Sequence, residues 1–308
     1  MPELPDLSAY LVALEPRVIG ERLDRVRLTS PFLLRTVEPP LAAAAGRRVR
    51  GLERIGKRLV LALEDELFLV LHLMIAGRLR WLANGARGPG RITLAAFDFA
   101  TGTLVVTEAA KKRRASLAVV AGRAALAGHD PGGVEPLTAP AAELRAALGR
   151  ENRTLKRALT DPRLVAGIGN AYSDEILWAA RLSPLARTGQ LDEAAWSALV
   201  AAVRTTLSTW CARLEAEARR AFPTRVTAFR DAMAVHGRFG HPCPRCGEPV
   251  QRLVYAENEA NYCARCQTGG RLLADRALSR LLRGDWPKSL EELEERKAGA
   301  RRAEPADG

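Results

Sequence analysis

The sequence predicts an α+β protein: an N-terminal helix with an antiparallel β-sandwich, a helical domain, and a small module built round four cysteines. Short β-rich runs separated by turn signals fill the first part of the chain. A helical spacing of apolar residues follows, and then two Cys-x-x-Cys pairs. From these observations we expect four segments, at 1–130, 141–235, 236–270 and 271–308. The last is charged and Ala-rich at its end, so we expect it to be partly disordered.

Composition narrows the classes of function. The chain has 308 residues, and its 47 Lys and Arg against 35 Asp and Glu give a net charge of +12. Such an excess suits a polyanionic partner, with nucleic acid first and an acidic membrane second. No apolar run reaches the roughly 18 residues that would span a bilayer, and the start lacks the pattern of a secretory signal. We therefore expect a cytoplasmic protein that does not bind a membrane. We also expect it to act as a monomer.

The β-rich part begins after one helix. Apolar side chains at Leu7, Tyr10, Leu11 and Leu14 have helical spacing, which we expect to stop at Pro16. Seven strands are then predicted, at 22–29, 58–63, 67–73, 78–82, 91–99, 103–107 and 116–120. The Gly- and Pro-rich stretch 128–140 reads as a linker.

The helical part has one clear apolar stripe. It opens after Asp192, a residue type that caps helices well. The stripe consists of Leu199, Val203, Leu207, Trp210 and Leu214. This pattern predicts an amphipathic helix that buries one face.

The cysteines indicate a metal. Cys243 and Cys246 form one pair, Cys263 and Cys266 another, and 16 residues separate the pairs. This is the spacing of a four-thiolate zinc ribbon, so we expect one structural Zn²⁺. Four free thiols in a core, or a redox pair, are weaker alternatives, since no thioredoxin-like pattern surrounds the motif. The fifth residue, Cys211, is expected to be a small core residue of a helix.

The first residues carry possible chemistry. If Met1 is removed, Pro2 presents a secondary amine that can attack an electrophilic carbon and form an iminium. The positive end of the adjoining helix disfavours the protonated amine, and Glu3 can serve as a general acid or base. Taken alone, a Pro-Glu start is more often simply the beginning of a chain.

A second candidate lies between two helices of the helical part. After Lys156 the chain forms a turn and reaches the glycine-rich stretch Gly167-Ile-Gly169-Asn170. We expect this stretch to open a second helix at about residue 171. Backbone N–H groups at a helix start bind phosphate, the glycines allow close approach, and Lys156 supplies charge. An ordinary helical hairpin with a glycine turn explains the segment equally well.

In combination, these pieces resemble the formamidopyrimidine-DNA glycosylase and endonuclease VIII family of base-excision repair enzymes. The matching pieces stand in the family's order over roughly residues 1–267. They are Met1-Pro2-Glu3-Leu4-Pro5, Gly56-Lys57, His72-Leu73 leading to Gly77, Gly167-Ile-Gly-Asn170-Ala-Tyr172, and the four-cysteine ribbon. The resemblance implies that the helical part is a helix–two-turn–helix domain.

The resemblance also implies an activity. Pro2 would attack C1′ of a damaged nucleotide flipped out of the helix, and Glu3 would assist opening of the sugar ring and later proton transfers. The Schiff base would then eliminate on both sides of the lost base, with Lys57 in the catalytic group. The zinc would hold a hairpin against the DNA and do no chemistry.

The same resemblance implies a set of DNA contacts. Lys57, His72, Lys156 and Asn170 fall at positions that contact phosphates, and Ile75 at the apolar wedge beside the flipped base. Considered without the family, His72 would be read as a histidine satisfied within a strand, and Lys57 as a solvated lysine at a strand edge.

Several positions depart from the family, among them Asp6 where the family has a glutamate, and two departures concern expected DNA contacts. The loop that carries an Arg-Phe pair in the oxidised-purine enzyme reads Lys111-Lys112-Arg113-Arg114 here, without an aromatic residue. A solvated charge run is the alternative, but we favour DNA contact because four neighbouring cations attract phosphates. At the ribbon hairpin, Asn258 stands where the family places a phosphate-binding arginine.

Three functions are therefore weighed. The first is a glycosylase and lyase acting on damaged, double-stranded DNA. The second is a non-catalytic DNA-binding protein on the same scaffold, which leaves the Pro2-Glu3 pair unexplained. The third is a zinc-ribbon RNA-binding protein, which accounts for the charge and the ribbon but not for the N-terminus.

Overall fold

The computed structural model describes residues 1–224, 226–255, 258–274, 287–293 and 295–296. The chain divides into two compact units. The first comprises Met1–Ala147, Asp161–Gly169 and Leu207–Ala228; the second comprises Leu148–Thr160, Asn170–Thr206 and the described chain from Phe229 onward. The four segment limits expected from the sequence stay predictions.

The first unit is a β-sandwich preceded by helix α1 (Leu4–Val18). Its strands are β1 (Leu23–Leu28), β2 (Val49–Ile55), β3 (Arg58–Leu63), β4 (Leu67–His72), β5 (Gly77–Leu82), β6 (Thr93–Phe99), β7 (Gly102–Glu108) and β8 (Ser116–Ala121). They form two four-stranded antiparallel sheets, in the orders β1-β6-β7-β5 and β2-β3-β4-β8. Leu7, Tyr10 and Leu14 of α1 are fully buried in the core shared with these strands. The predicted sandwich is confirmed.

Two details of this unit differ from the sequence prediction. Helix α1 starts at Leu4 and continues past Pro16 to Val18, because proline removes only one N–H donor and the buried apolar face holds the last turn. Strand β2 was not predicted, since Arg50, Gly51 and Glu53 interrupt its apolar pattern. It lies at the edge of its sheet, and Val49 is the one residue of the strand that is fully buried.

The helical part follows the prediction closely. Its helices are α3 (Ala141–Gly149), α4 (Leu155–Thr160), α5 (Asn170–Ala179) and α6 (Glu193–Arg220); a short helix that was not predicted, α2 (Arg123–Ala127), precedes them after β8. The expected cap is present in α6, where the Asp192 carboxylate accepts the N–H of Ala195 at 2.7 Å. The five stripe residues of α6 are all buried. Within the described ranges, no helix combines the length and apolar character needed to cross a membrane.

The cysteine module contains a hairpin and a short helix. Strands β9 (Gln251–Tyr255) and β10 (Asn258–Tyr262) pair antiparallel, and α7 (Ala264–Thr268) follows. Part of the C-terminal extension packs here: Leu272, Leu273 and Leu290 share a buried cluster with Tyr262. The rest of the segment expected to be disordered, at 275–286, 294 and 297–308, lies outside the described residues.

Candidate active site and zinc centre

The N-terminus of α1 is buried against a glycine turn of the same unit. Pro2 is buried, and Glu3, the residue before the helix, is 3% exposed. The Leu4 N–H donates to the carbonyl of Gly167 at 2.9 Å, and the Gly169 N–H donates to Glu3 Oε2 at 2.6 Å. Asp6 accepts the N–H of Glu3 at 3.0 Å. Backbone and side chain of Glu3 are therefore both held by specific partners.

The glycine turn can approach Glu3 only because it lacks side chains. A Cβ built on Gly169 would lie 2.6 Å from the Glu3 carboxyl carbon and 2.8 Å from Lys57 Nζ. Gly167 has a φ of +78°, and a Cβ there would lie 2.7 Å from that of Leu4. The sequence left a phosphate cradle and an ordinary hairpin turn open at these glycines, and phosphate binding there stays a prediction. In the structure the Gly169 N–H donates to Glu3, and the turn brings that carboxylate close to Lys57 Nζ.

Burial shifts the amines of this site toward their neutral forms. The chain's α-amine is carried by Met1, and removal of Met1 would transfer it to Pro2. Burial lowers the pKa of the Met1 α-amine, and the nearby Glu3 carboxylate opposes the shift. The pKa of Lys57 is likewise lowered by burial and raised by Glu3. Burial at this end of the chain therefore favours the neutral form of an amine, which is its nucleophilic form.

His72 and Ile75 lie at and just beyond the end of β4. His72 stands opposite Arg58 on β3, and burial, followed by the charges of Arg58 and Lys57, lowers its pKa to about 4. The imidazole is therefore neutral at physiological pH and can donate one hydrogen bond without carrying charge. Ile75 is 59% exposed, and Met74 before it has a φ of +51°. The described turn thus presents an apolar side chain to solvent.

The basic loop connects β7 to β8 in the first unit. Lys111, Lys112, Arg113 and Arg114 are all exposed. Glu108, at the end of β7, is 2% exposed, and its carboxylate accepts the N–H groups of Arg114 and Ala115 at 3.0 Å. The sequence did not single out Glu108. Its buried carboxylate fixes the end of the loop while the cations stay in solvent.

Lys156 and Asn170 meet in the second unit. Lys156 Nζ donates to the Asn170 carbonyl at 2.8 Å and pairs with Asp174 at 2.5 Å. Asp174 and Glu175 on α5 were missed by the sequence analysis, although two adjacent acids in an otherwise apolar helix were a visible signal. Glu175 accepts the N–H groups of Ala234, Val235 and His236, at 2.8 to 2.9 Å. Burial raises the pKa of Glu175, and these three N–H donors oppose the rise.

The four predicted cysteines come together. The Sγ atoms of Cys243, Cys246, Cys263 and Cys266 all lie within 4.8 Å of one another. Sulfurs bound to one tetrahedral zinc at 2.3 Å stand about 3.8 Å apart, so the cluster fits the ion. Trp178 Nε1 donates to Cys243 Sγ at 3.3 Å, and Arg245 stacks over the Trp178 ring at 4.0 Å. The prediction of one structural Zn²⁺ is confirmed, and Trp178 is a neighbour that spacing could not reveal.

The hairpin position that departs from the family lies at the start of β10. Asn258 pairs with Tyr255 in the strand register, and its side chain is outside the described part. Arg252 and Arg265 are the arginines nearest to Asn258 in the sequence, and each of them contacts another residue of the chain. Arg265 pairs with Glu248 at 3.3 Å, and Arg252 stacks over Phe239 at 4.4 Å.

The fold and these sites define a DNA glycosylase scaffold with a four-cysteine zinc finger, and comparison with known proteins agrees. Three family models match: the formamidopyrimidine-DNA glycosylase N-terminal domain at residues 1–116, its H2TH domain at 133–217, and the zinc finger found in FPG and IleRS at 240–269. The chain belongs to the formamidopyrimidine-DNA glycosylase family.

Individual relatives cover most of the chain. A formamidopyrimidine-DNA glycosylase of Roseiflexus is 36% identical over 87% of this chain and 100% of its own length. The MutM (Fpg) structure from Thermus thermophilus is 33% identical with a TM-score of 0.71, covering 86% of this chain and 98% of that one. A variant of the Lactococcus lactis enzyme bound to DNA containing Fapy-dG is 26% identical with a TM-score of 0.77, covering 87% and 100%.

Proposed function

We propose that this protein is a DNA repair glycosylase with AP lyase activity, which acts as a monomer on damaged double-stranded DNA in the cytoplasm. The observation that carries the proposal is the convergence of the Glu3 carboxylate, the Gly169 N–H and Lys57 Nζ beside the chain's first residues. Family membership and the DNA-bound Lactococcus lactis structure support the same activity.

In the proposed reaction, the neutral amine of Pro2 attacks C1′ of the damaged nucleotide. The N–C1′ bond forms as the bond from C1′ to the base breaks, and the base leaves with a proton. Glu3 assists opening of the sugar ring, which yields the Schiff base between Pro2 and C1′. Loss of a proton from C2′ expels the 3′ phosphate, and loss of a further proton from the unsaturated sugar expels the 5′ phosphate, so this β,δ-elimination cuts the strand on both sides. Water then hydrolyses the Schiff base and frees Pro2. Lys57 contacts the phosphate beside the reacting sugar.

The remaining residues bind DNA in this proposal. His72, Lys156 and Asn170 contact phosphates, and the cations at 111–114 attract the backbone. Ile75 occupies the space left by the flipped base, since an exposed apolar side chain on a short turn suits that place. The zinc, held by the four cysteines, fixes the hairpin; when bound, it supplies folding energy rather than chemistry.

Borohydride trapping on duplex DNA with an abasic site tests the proposal. The wild-type protein should form a covalent adduct, because borohydride reduces a Schiff base to a stable amine. Pro2→Gly should bind the same DNA with similar affinity and lose most of the trapping. Binding without trapping by the wild type would establish the non-catalytic alternative. Undiminished trapping by Pro2→Gly would show that the proline nitrogen is not required, and adding Lys57→Ala to that variant would separate the α-amine it still carries from Lys57.

A further inference from the structure

A buried charge cluster in the second unit has no part in the chemistry above. Asp174 on α5 is 0% exposed, and its two carboxylate oxygens have different partners. Oδ1 pairs with Lys156 Nζ at 2.5 Å, and Oδ2 contacts His236 Nδ1 at 2.7 Å. His236 itself is 3% exposed. A carboxylate this deeply buried is costly to desolvate, so its retention calls for a reason beyond stability.

The cluster holds an otherwise flexible side chain in one place. A lysine has four rotatable bonds and an ammonium with three donors. Two of those donors are used here, by Asp174 and by the Asn170 carbonyl. Among the described residues these are its two acceptors, so the third donor can reach an acceptor outside the cluster, such as a phosphate oxygen.

His236 is itself held on two sides. Its backbone N–H donates to Glu175 at 2.9 Å, and its ring stacks on that of Phe229 with 5.6 Å between centroids. Because the imidazole occupies Oδ2, the Asp174 carboxylate cannot rotate freely and Oδ1 stays directed at Lys156. The orientation of the ammonium therefore depends on both residues.

We propose that Asp174 and His236 are positioning residues for DNA, which aim the Lys156 ammonium at a backbone phosphate. This rests on the proposed function only in taking Lys156 as a phosphate contact. The proposal and the net charge predict opposite effects of one substitution on DNA affinity. Replacing Asp174 by Asn raises the net charge by one, which by itself would tighten DNA binding. If the carboxylate positions Lys156, the same change weakens binding.

The test measures affinity for abasic-site duplex DNA across a salt series in Lys156→Ala, Asp174→Asn and the double variant. Each single variant should lose affinity by a factor of the order of ten, as for a hydrogen bond to a charged group. Each should also lower the slope of log affinity against log salt by about 0.9, the value for one phosphate contact. The double variant should be no weaker than Lys156→Ala. Tighter binding by Asp174→Asn, an unchanged slope, or additive losses would overturn the proposal.

Asp98→Asn is the matched control. Asp98 is also a buried aspartate, 5% exposed, and it pairs with Arg27 at 2.6 Å, not with Lys156. The control should be less stable but keep the wild-type salt slope, which separates positioning from general destabilisation. A control slope lowered as much as that of Asp174→Asn would overturn the proposal.

A second variant keeps the proposal testable if Asp174→Asn does not fold. His236→Phe preserves a ring on Phe229 and removes the contact to Oδ2, so it should lower the salt slope while zinc content stays at one per chain. A wild-type slope in this variant would remove His236 from the proposal. Borohydride trapping by the wild type reports separately on the proposed function, since it detects the Schiff base and not the position of the Lys156 ammonium.

Discussion

The Gly169 N–H donates to the Glu3 carboxylate at 2.6 Å, and this bond joins residues 166 positions apart in the chain. The acid proposed for catalysis is thus oriented by a turn that precedes α5. The same turn leaves space for Lys57 Nζ, which a side chain at position 169 would occupy. The absence of a side chain at position 169 therefore allows the Glu3 carboxylate and Lys57 Nζ to lie beside the same turn.

We expect Gly169→Ala to reduce trapping on abasic DNA by roughly tenfold to a hundredfold, since displacing catalytic groups by about 1 Å has effects of this size. The added Cβ would lie 2.6 Å from the Glu3 carboxyl carbon, so either the turn or the acid must move. Single-turnover kinetics would measure the effect. Gly51→Ala is the control, because its Cβ would meet only Ala62 at 3.9 Å. Equal rates for the two variants would contradict the assignment.

The neutral state of His72 predicts a pH dependence of stability. Its pKa falls from 6.5 to about 4 on folding, so between these values the unfolded chain binds the extra proton and the folded chain does not. The free energy of unfolding should fall as the pH drops through this window, by about 2 kcal/mol, less than the full shift because the ring is partly exposed.

Urea unfolding at several pH values would check this, with His72→Gln as the comparison. The variant should lose this part of the decline between pH 6.5 and pH 4. Above pH 7 the two proteins should show parallel curves, since the imidazole is neutral in both states there. An identical decline in the variant would show that His72 is protonated in the folded protein.

Zinc binding should depend on each of the four clustered cysteines and not on the fifth. Cys263→Ser should lose the metal, and the C-terminal module should unfold with it, because metal binding and folding are coupled in such sites. Elemental analysis measures zinc per chain. Cys211→Ser is the matched control, since Cys211 lies on α6 and outside the cluster. Full zinc occupancy in Cys263→Ser would contradict the ligand set.

Trp178 should raise the zinc affinity of the same site without being a ligand of the metal. Its indole N–H donates to Cys243 Sγ, and hydrogen bonds from such neighbours stabilise thiolate ligands. Trp178→Phe keeps an aromatic ring for Arg245 and removes only the donor. We expect zinc affinity, measured by competition with a chelator, to fall tenfold to a hundredfold. Wild-type affinity would show that the contact is incidental.

The basic loop predicts weak discrimination among the bases opposite a lesion. It carries exposed cations and no aromatic side chain, so binding should depend on phosphates more than on the opposing base. Excision of one accepted lesion opposite each of the four bases measures this. A preference worth about 1–3 kcal/mol, as for a direct base contact, would show that another side chain reads that base.

The same loop should contribute to the salt dependence of binding. Replacing Lys111 and Lys112 with serine should lower the log–log salt slope by up to about 1.8, twice the value for one phosphate. Arg50→Ser is a control, because that exposed arginine is already paired with Glu64 at 2.6 Å. If the loop variant and the control behave alike, the cations at 111–114 form an ordinary solvated charge run.

The sequence by itself determined the class of fold, the zinc ligands and the buried face of the long helix. These features follow from local chemistry: strand and helix periodicity, a Cys-x-x-Cys turn that places two thiolates on one ion, and an aspartate cap at Asp192. The sequence analysis missed strand β2, an edge strand, because Arg50, Glu53 and Arg54 interrupt its apolar alternation. The sequence also showed where the glycine turn lies, but it did not show that Glu3 is the partner of that turn.

Only the tertiary structure decided which groups meet. Glu3 with Gly169, Asp174 with both Lys156 and His236, and Trp178 with Cys243 each join separate elements. No period or spacing encodes such pairs, because they depend on how buried apolar faces pack. The protonation states follow from the same packing. Lys57 and His72 both have lowered pKa values, because the fold removes their side chains from water.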